Sequence, residues 1–135
     1  TSKIPRYNFF EKTDGEFFIN EDCQKEDEFI DEQAVFIETR KGLVVLLGCA
    51  HSGVINTLNY IIKLNERNNI HAVIGGMHLL NASSDRINQT IRAFNQHKIK
   101  TFGLSHCTGE TAESEFSAAF PNRCMKCSVG KQVTI

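Results

Sequence analysis

The sequence has no tryptophan, only two prolines and only two methionines among its 135 residues. Its apolar runs are far shorter than the ~18–20 residues that a membrane-spanning helix needs, and no apolar export signal opens the chain. Basic and acidic side chains nearly balance, for a net charge of −1, which argues against nucleic-acid binding driven by bulk positive charge. These shortages exclude fibrous and transmembrane classes and predict a soluble globular protein that binds neither nucleic acid nor membrane.

The cysteines indicate the compartment. There are five of them, an odd number, and no export signal accompanies them. The chain is also too long to depend on a small disulfide scaffold. We therefore expect free thiols in a reducing, cytoplasmic environment.

The hydrophobic pattern predicts a mixed α/β fold in a single domain that spans residues 1–135. Runs rich in β-branched and aromatic residues predict strands at 16–19 and 34–39, the second of which forms a hairpin with the apolar run 43–47. The run 43–47 does not alternate, so we expect a central strand that is covered on both faces. The acidic stretch 21–32 between the first two strands predicts a solvated loop.

The rest of the chain alternates helices with strands. Apolar residues recur at helical spacing after Gly53, and Ser83 is a candidate N-cap for a second helix. The predicted order is a helix from residue 54, a strand at 72–74, a helix after 83, a strand near 99–104, a helix near 110–119 and a closing strand at 129–135. This order indicates an α/β layered sandwich.

Three of the five histidines follow predicted strands. His51, His78 and His106 each lie in a short connection that leads from a strand toward a helix. The carboxyl ends of strands in such sheets form the crevice where ligands bind, so the three imidazoles are expected at one rim. Three imidazoles are a suitable ligand set for a hydrolytic metal site, although any one of them alone is more typical of a structural role. His71 and His97 are interpreted as structural.

The cysteines near these histidines have open roles. Cys49 lies two residues before His51 and could face the same rim or be a small buried side chain. Cys107 is expected to point away from His106 and to be buried. Cys124 and Cys127 form a C-x-x-C pair without a second pair, and a strand would direct positions three apart to opposite faces, so we expect them not to bind metal.

Small residues precede two of the predicted helices. Ser52 and Gly53 precede one, and Thr108 and Gly109 precede another. Free backbone amides at a helix start can bind a phosphate or carboxylate group. These four residues are therefore candidate substrate or anion contacts.

Three motifs in register resemble a known family. They are Gly-Cys-Ala-His-Ser-Gly at 48–53, Ile-Gly-Gly-Met-His-Leu at 74–79 and Ser-His-Cys-Thr-Gly at 105–109. Their order and spacing resemble the C-terminal half of metallo-β-lactamase-fold proteins, in the subfamily of the dihydropterin ribofuranosylaminobenzene phosphate synthases. The resemblance implies half of an αβ/βα sandwich, a mixed sheet with helices on one face. It also implies one or two divalent metal ions in the full-length protein, zinc, manganese or iron.

The resemblance further implies roles for individual residues. His106 matches the last metal-ligand position, Cys49 lies where the fold often places a ligand that bridges two metals, and His51 and His78 line the same pocket. The full protein is then expected to be a metal-dependent hydrolase or transferase that acts on a small phosphorylated or pterin-like molecule. Two alternatives are a non-catalytic anion- or nucleotide-binding module and a zinc-stabilised interaction domain organised by Cys107, Cys124 and Cys127.

One signature of the superfamily is missing. Its H-x-H-x-D-H motif lies in the N-terminal half, whereas the first histidine here is His51 and the chain opens on Thr1 rather than methionine. We therefore expect a part of a longer protein that has little activity alone and that needs the missing N-terminal half or a second copy as partner. The sheet should then present an apolar face, or an unpaired edge, that such a partner covers.

Overall fold

The computed structural model describes residues 1–13, 15–66 and 69–135. These residues form one five-stranded sheet and three α-helices. The elements in chain order are β1 (Ala34–Thr39), β2 (Gly42–Leu47), α1 (Val54–Asn65), β3 (Ile70–Gly75), α2 (Ser84–Gln96), β4 (Thr101–Leu104), α3 (Glu110–Ala119) and β5 (Cys124–Lys126). None of the described helices is long and apolar enough to span a membrane.

The strands lie in the sheet in the order in which they occur in the chain. β1 and β2 form the predicted antiparallel hairpin, and β2 through β5 run parallel to one another. Each parallel pair is joined by one helix, and crossovers of this kind are right-handed. Successive crossovers in one direction therefore put all three helices on the same face of the sheet. This mixed sheet with helices on one face confirms the predicted fold class.

The core lies between the sheet and the helices. β2 contributes Leu43 and Val45, and α1 faces them with the predicted apolar stripe that includes Leu58. Ser83 caps α2 as predicted, since its Oγ accepts a hydrogen bond of 3.2 Å from the Arg86 backbone N–H. Further along, three buried phenylalanine rings from α2, β4 and α3 contact one another, Phe94, Phe102 and Phe116.

The N-terminal segment crosses the start of α1 and is fastened there by side chains. The amide oxygen of Asn56 accepts hydrogen bonds from the backbone N–H groups of Tyr7 and Asn8, each at 3.0 Å. The carboxylate of Glu11 accepts from the N–H groups of Ile55 at 2.7 Å and Asn56 at 2.6 Å. The Glu11 carboxyl group therefore satisfies two backbone N–H groups that the N-terminus of a helix leaves without an intrahelical partner.

Two predicted strands are wrong. In the stretch 16–19 only Phe18 makes a β-bridge, to Glu26, and the backbone hydrogen bonds of Phe17 with Asp27 and of Ile19 with Lys25 do not extend into a strand. Residues 129–135 form no strand either. The place beside β4 is already taken by β5 at Cys124–Lys126, and among the described residues no further strand pairs with the open edge of β5.

The sheet face opposite the helices is apolar and partly exposed. Val35 pairs with Leu46 and Ile37 with Val44 across the hairpin, so these four side chains share that face. Val35, Ile37 and Leu46 are 57%, 49% and 37% exposed. The prediction that both faces of the strand at 43–47 are covered is therefore wrong at Leu46, because all three helices pack on the other side. Exposed apolar side chains on this face are what the half-sandwich interpretation requires.

Candidate functional site

The connections after β2, β3 and β4 meet at one rim of the sheet. Each contains a residue other than glycine with a left-handed backbone: Ala50 at φ 57°, His78 at φ 48° and His106 at φ 52°. Such residues are uncommon, carry a conformational cost and concentrate at functional sites. Two of the three predicted histidines are thus held in a strained conformation at this rim.

His51 and His78 contact each other. Their ring centroids are 4.6 Å apart at an angle of 69°. Phe29 stacks on the other side of His51 with centroids 4.3 Å apart, and Phe17 lies near both imidazoles. Burial and the neighbouring His78 lower the pKa of His51, while Glu32 acts in the opposite direction. The packing therefore favours a neutral imidazole, which is the form that ligates metals.

His106 lies with two cysteines. Ligand atoms of Cys49, His106 and Cys107 all lie within 4.8 Å of one another. The Cys107 thiol donates a hydrogen bond of 3.5 Å to the Cys49 carbonyl and accepts one of 3.3 Å from the His78 backbone N–H. Among the described residues, these three form the one group of three or more His, Cys, Asp or Glu side chains whose ligand atoms lie close enough together to hold a metal ion.

The expectation that Cys107 points away from His106 is wrong. It assumed an extended chain, whereas His106–Thr108 form a 3₁₀ turn that begins at the left-handed His106. The turn brings the two neighbouring side chains to the same side. Burial raises the pKa of the Cys107 thiol to about 11, so without a metal ion the thiol is protonated at neutral pH.

Gly76 brings two of the connections together. Its N–H donates to the Gly48 carbonyl at 2.9 Å. A Cβ atom at Gly76 would lie 2.7 Å from the Cys107 sulfur and 2.8 Å from the Gly48 oxygen, closer than such atoms approach. Only glycine therefore allows the chain after β3 to pass between Cys107 and the chain after β2.

The candidate anion contacts already have partners inside the protein. The Ser52 N–H donates to a Glu32 carboxylate oxygen at 2.6 Å. The Glu11 carboxyl group accepts hydrogen bonds from two backbone N–H groups in the first turn of α1. The buried Thr108 hydroxyl donates to the Ser105 carbonyl at 2.8 Å. An added anion would have to compete with these groups, so anion binding at Ser52, Gly53, Thr108 and Gly109 stays a prediction.

The C-x-x-C cysteines are not part of the group formed by Cys49, His106 and Cys107, although Cys127 and His106 line one cavity. The Cys124 thiol donates to the Phe116 carbonyl of α3 at 3.4 Å. Cys127 places its sulfur beside Gly103, on the face of the sheet that carries Ile74. The two thiols therefore lie on opposite faces of the sheet, and Cys107 belongs with Cys49 and His106 rather than with them.

A cavity of about 560 Å³ lies between the N-terminal segment and the loop before β1. Phe17 and Phe29, which pack on His51, form part of its wall, and the Arg6 guanidinium lies 5.8 Å from the Phe29 ring centroid. Acidic side chains line the same space, namely Glu16, Glu26 and Asp27. The size is in the range of small-molecule sites.

Comparisons with known proteins agree with this architecture. No family model matches the chain. Among solved structures, Tm1679, described as a metal-dependent hydrolase of the β-lactamase superfamily, matches with a TM-score of 0.75 and 37% identity over 82% of this chain and 43% of that protein. The fold of this chain is thus similar to somewhat less than half of a metal-dependent hydrolase of the β-lactamase superfamily.

Curated proteins give a more specific likeness. The chain is 38% identical, over 101 residues, to the 7,8-dihydropterin-6-methyl-4-(β-D-ribofuranosyl)-aminobenzene-5'-phosphate synthase of Methanocaldococcus jannaschii. The matched region covers 75% of this chain and 34% of that protein. It is also 35% identical over 74 residues to an uncharacterized protein of the same organism, across 55% of this chain and 27% of that protein. The family resemblance seen in the sequence is confirmed, and the chain spans about a third of the length of the curated relatives it matches.

Proposed function

We propose that this chain forms the C-terminal half of a metal-dependent hydrolase or transferase and supplies ligands to its metal centre. One observation carries the proposal, namely that the donor atoms of Cys49, His106 and Cys107 lie within 4.8 Å of one another at the carboxyl rim of the sheet. His51 and His78 contact each other in the adjoining connections. Tm1679, the solved structure to which this chain is similar, is described as a metal-dependent hydrolase.

The donor set suits a particular kind of metal. Two thiol sulfurs and one imidazole nitrogen are ligands that zinc prefers, whereas manganese favours oxygen donors. Three protein ligands would leave a further position for a substrate or for ligands from the rest of the protein. When bound, such a metal supplies a Lewis acid that polarises a phosphoryl or carbonyl oxygen and activates water.

The cavity between the N-terminal segment and the loop before β1 favours a planar substrate with hydrogen-bond donors. The Phe17 ring lines this cavity and could stack on a substrate, whereas the Phe29 ring already stacks on His51 and has the Arg6 guanidinium over it. Carboxylates of Glu16, Glu26 and Asp27 would accept hydrogen bonds from ring N–H and amino groups and would repel phosphate. Of the phosphorylated and pterin-like substrates that the family resemblance implies, the walls therefore suit the pterin-like part, with Arg6 and Lys12 as the basic residues available to an acidic group.

A partner is proposed for the exposed sheet face. The chain spans less than half of its solved neighbour, and Val35, Ile37 and Leu46 present an apolar surface. We propose that the N-terminal half of the same protein packs on this face and brings the remaining metal ligands to the rim. In its absence, a second copy of the chain would occupy the face.

The alternative of a non-catalytic anion-binding module has less support. The Ser52 amide already donates to Glu32, and the amides of Gly53 and Thr108 donate to backbone carbonyl groups. Two acidic residues, Glu110 and Glu113, lie in the first turn of α3, where they would repel an anion at Gly109. Binding of inorganic phosphate without metal would favour this alternative.

Zinc competition titrations test the proposal. We expect His106→Ala, Cys49→Ser and Cys107→Ser each to weaken zinc binding by more than the roughly 10–100-fold that loss of a supporting partner costs. His97→Ala is the matched control, because His97 caps the far end of α2. Equal zinc affinity in all four variants and the wild type would contradict the proposed metal site.

A further inference from the structure

One acidic side chain of the loop before β1 is not solvated. The stretch 21–32 is exposed at most of its acidic residues, and Glu28, for example, is 75% exposed and pairs with Lys3 at 3.3 Å. The side chain of Glu32 is only 8% exposed and turns inward toward the connection after β2. The solvated-loop prediction is therefore wrong for Glu32, and its burial needs an explanation.

Glu32 holds the backbone of the His51 turn. One carboxylate oxygen, Oε1, accepts a hydrogen bond from the His51 N–H, and the other, Oε2, accepts one from the Ser52 N–H at 2.6 Å. Hydrogen bonds to a charged acceptor are stronger than those between neutral groups. The carboxylate thus fixes the position of the main chain from which His51 projects.

The same carboxylate faces the His51 ring. Oε1 lies 3.4 Å from Nδ1 of the imidazole. An ionised carboxylate only accepts hydrogen bonds, so a neutral ring beside it is most stable with its proton on Nδ1. The lone pair is then on Nε2, the nitrogen that points away from Glu32.

A second residue of the same turn fixes the plane of the ring. The Glu32 N–H donates to the Phe29 carbonyl at 3.2 Å, which closes a turn over residues 29–32. Phe29 stacks on His51 at 16° between planes, and His78 contacts it from another side. The turn therefore holds His51 by a carboxylate and by an aromatic face together.

We infer that Glu32 is a positioning residue that keeps His51 as the Nδ1–H tautomer and presents its Nε2 lone pair to the rim. The inference rests on the proposed function and extends it, because it adds His51, through Nε2, to the proposed ligands Cys49, His106 and Cys107. Carboxylates that orient metal-binding histidines in this way are frequent in metalloproteins. Glu32 itself touches neither metal nor substrate.

Side-chain nitrogen NMR of the metal-free, ¹⁵N-labelled chain tests this without activity. At about pH 8, above the ordinary histidine pKa of about 6.5, we expect His51 to show a protonated Nδ1 and an unprotonated Nε2. Glu32→Ala should shift His51 toward the Nε2–H form, and Glu32→Gln should do so in part, whereas Glu28→Gln should change nothing. A wild-type His51 protonated on Nε2 would overturn the inference without the need for any variant.

Zinc affinity separates this inference from the proposed function. We expect Glu32→Ala to weaken zinc binding by about 10–100-fold, with Glu28→Gln unchanged. A tautomer shift without loss of zinc affinity would support the positioning role and contradict the role of His51 as a ligand. An unchanged tautomer in a folded Glu32→Ala protein, checked by thermal unfolding, would contradict the inference whatever the zinc affinity.

Discussion

The buried carboxyl group of Glu11 predicts a specific pH dependence of stability. Glu11 is only 3% exposed at the start of α1. Burial raises its pKa from 4.5 to about 7, against the lowering effects of the Ile55 and Asn56 amides and of Arg86. The folded protein therefore binds this proton more tightly than the unfolded chain does.

The sign and the size follow from that difference. Because the folded pKa lies above the unfolded one, the contribution is fully present below pH 4.5 and is lost as pH rises through 7. A difference between about 7 and 4.5, at roughly 1.4 kcal/mol per pKa unit, amounts to about 3 kcal/mol. Burial lowers the pKa values of His51 and His97, so their contributions to stability are lost as pH falls, in the direction opposite to that of Glu11.

Urea unfolding from pH 4.5 to 8 measures this contribution, compared between wild type and Glu11→Gln. Glutamine cannot ionise, so the difference between the two profiles isolates Glu11 from the histidines. We expect the wild type to lose about 3 kcal/mol relative to the variant across this range. Glu110→Gln, an exposed acidic residue in the first turn of α3, should follow the wild-type profile. A flat difference profile, or one that rises with pH, would refute the reasoning.

Three further predictions follow from the packing. Gly76→Ala should lower the free energy of unfolding by about 1–3 kcal/mol and weaken zinc binding, because the new methyl group overlaps the Cys107 sulfur. Gly48→Ala, which has open space around the new methyl group, should do neither. Equal thermal stability of the two variants would contradict this prediction. Light scattering should show that the wild type is larger than a 15.2 kDa monomer and that the double variant Val35→Lys/Ile37→Lys is closer to monomer mass. Leu64→Lys on α1 is the control and should behave as the wild type does. A monomeric wild type would count against a partner on the exposed sheet face. Ser83→Ala should lower unfolding free energy by about 1 kcal/mol in urea, through loss of the α2 cap, and an unchanged midpoint would show that the cap is not needed.

The regular elements were predictable because their patterns are local. The apolar spacing after Gly53 and the cap at Ser83 both specify helices from the sequence alone, and the turn after Thr39 specifies the hairpin. β5 was misplaced because three residues at a sheet edge carry little pattern, and its position is decided by pairing with β4.

The site was predictable only in part. Strand order implies that His51, His78 and His106 share a rim, because the carboxyl ends of parallel strands meet there. The place of Cys107 depends on the left-handed backbone of His106, which no residue pattern indicates. Glu32 was hidden within an acidic run, since burial of one carboxylate among exposed neighbours depends on contacts made with residues about twenty positions away.

X-ray absorption at the zinc edge tests the central claim most directly. A zinc-loaded chain should show sulfur ligands at about 2.3 Å together with nitrogen at about 2.0–2.1 Å, and Cys49→Ser/Cys107→Ser should remove the sulfur signal. The Cys124→Ser/Cys127→Ser variant should keep it. A zinc environment of oxygen and nitrogen alone in the wild type, or a sulfur signal that depends on Cys124 and Cys127, would contradict a metal centre built from Cys49, His106 and Cys107.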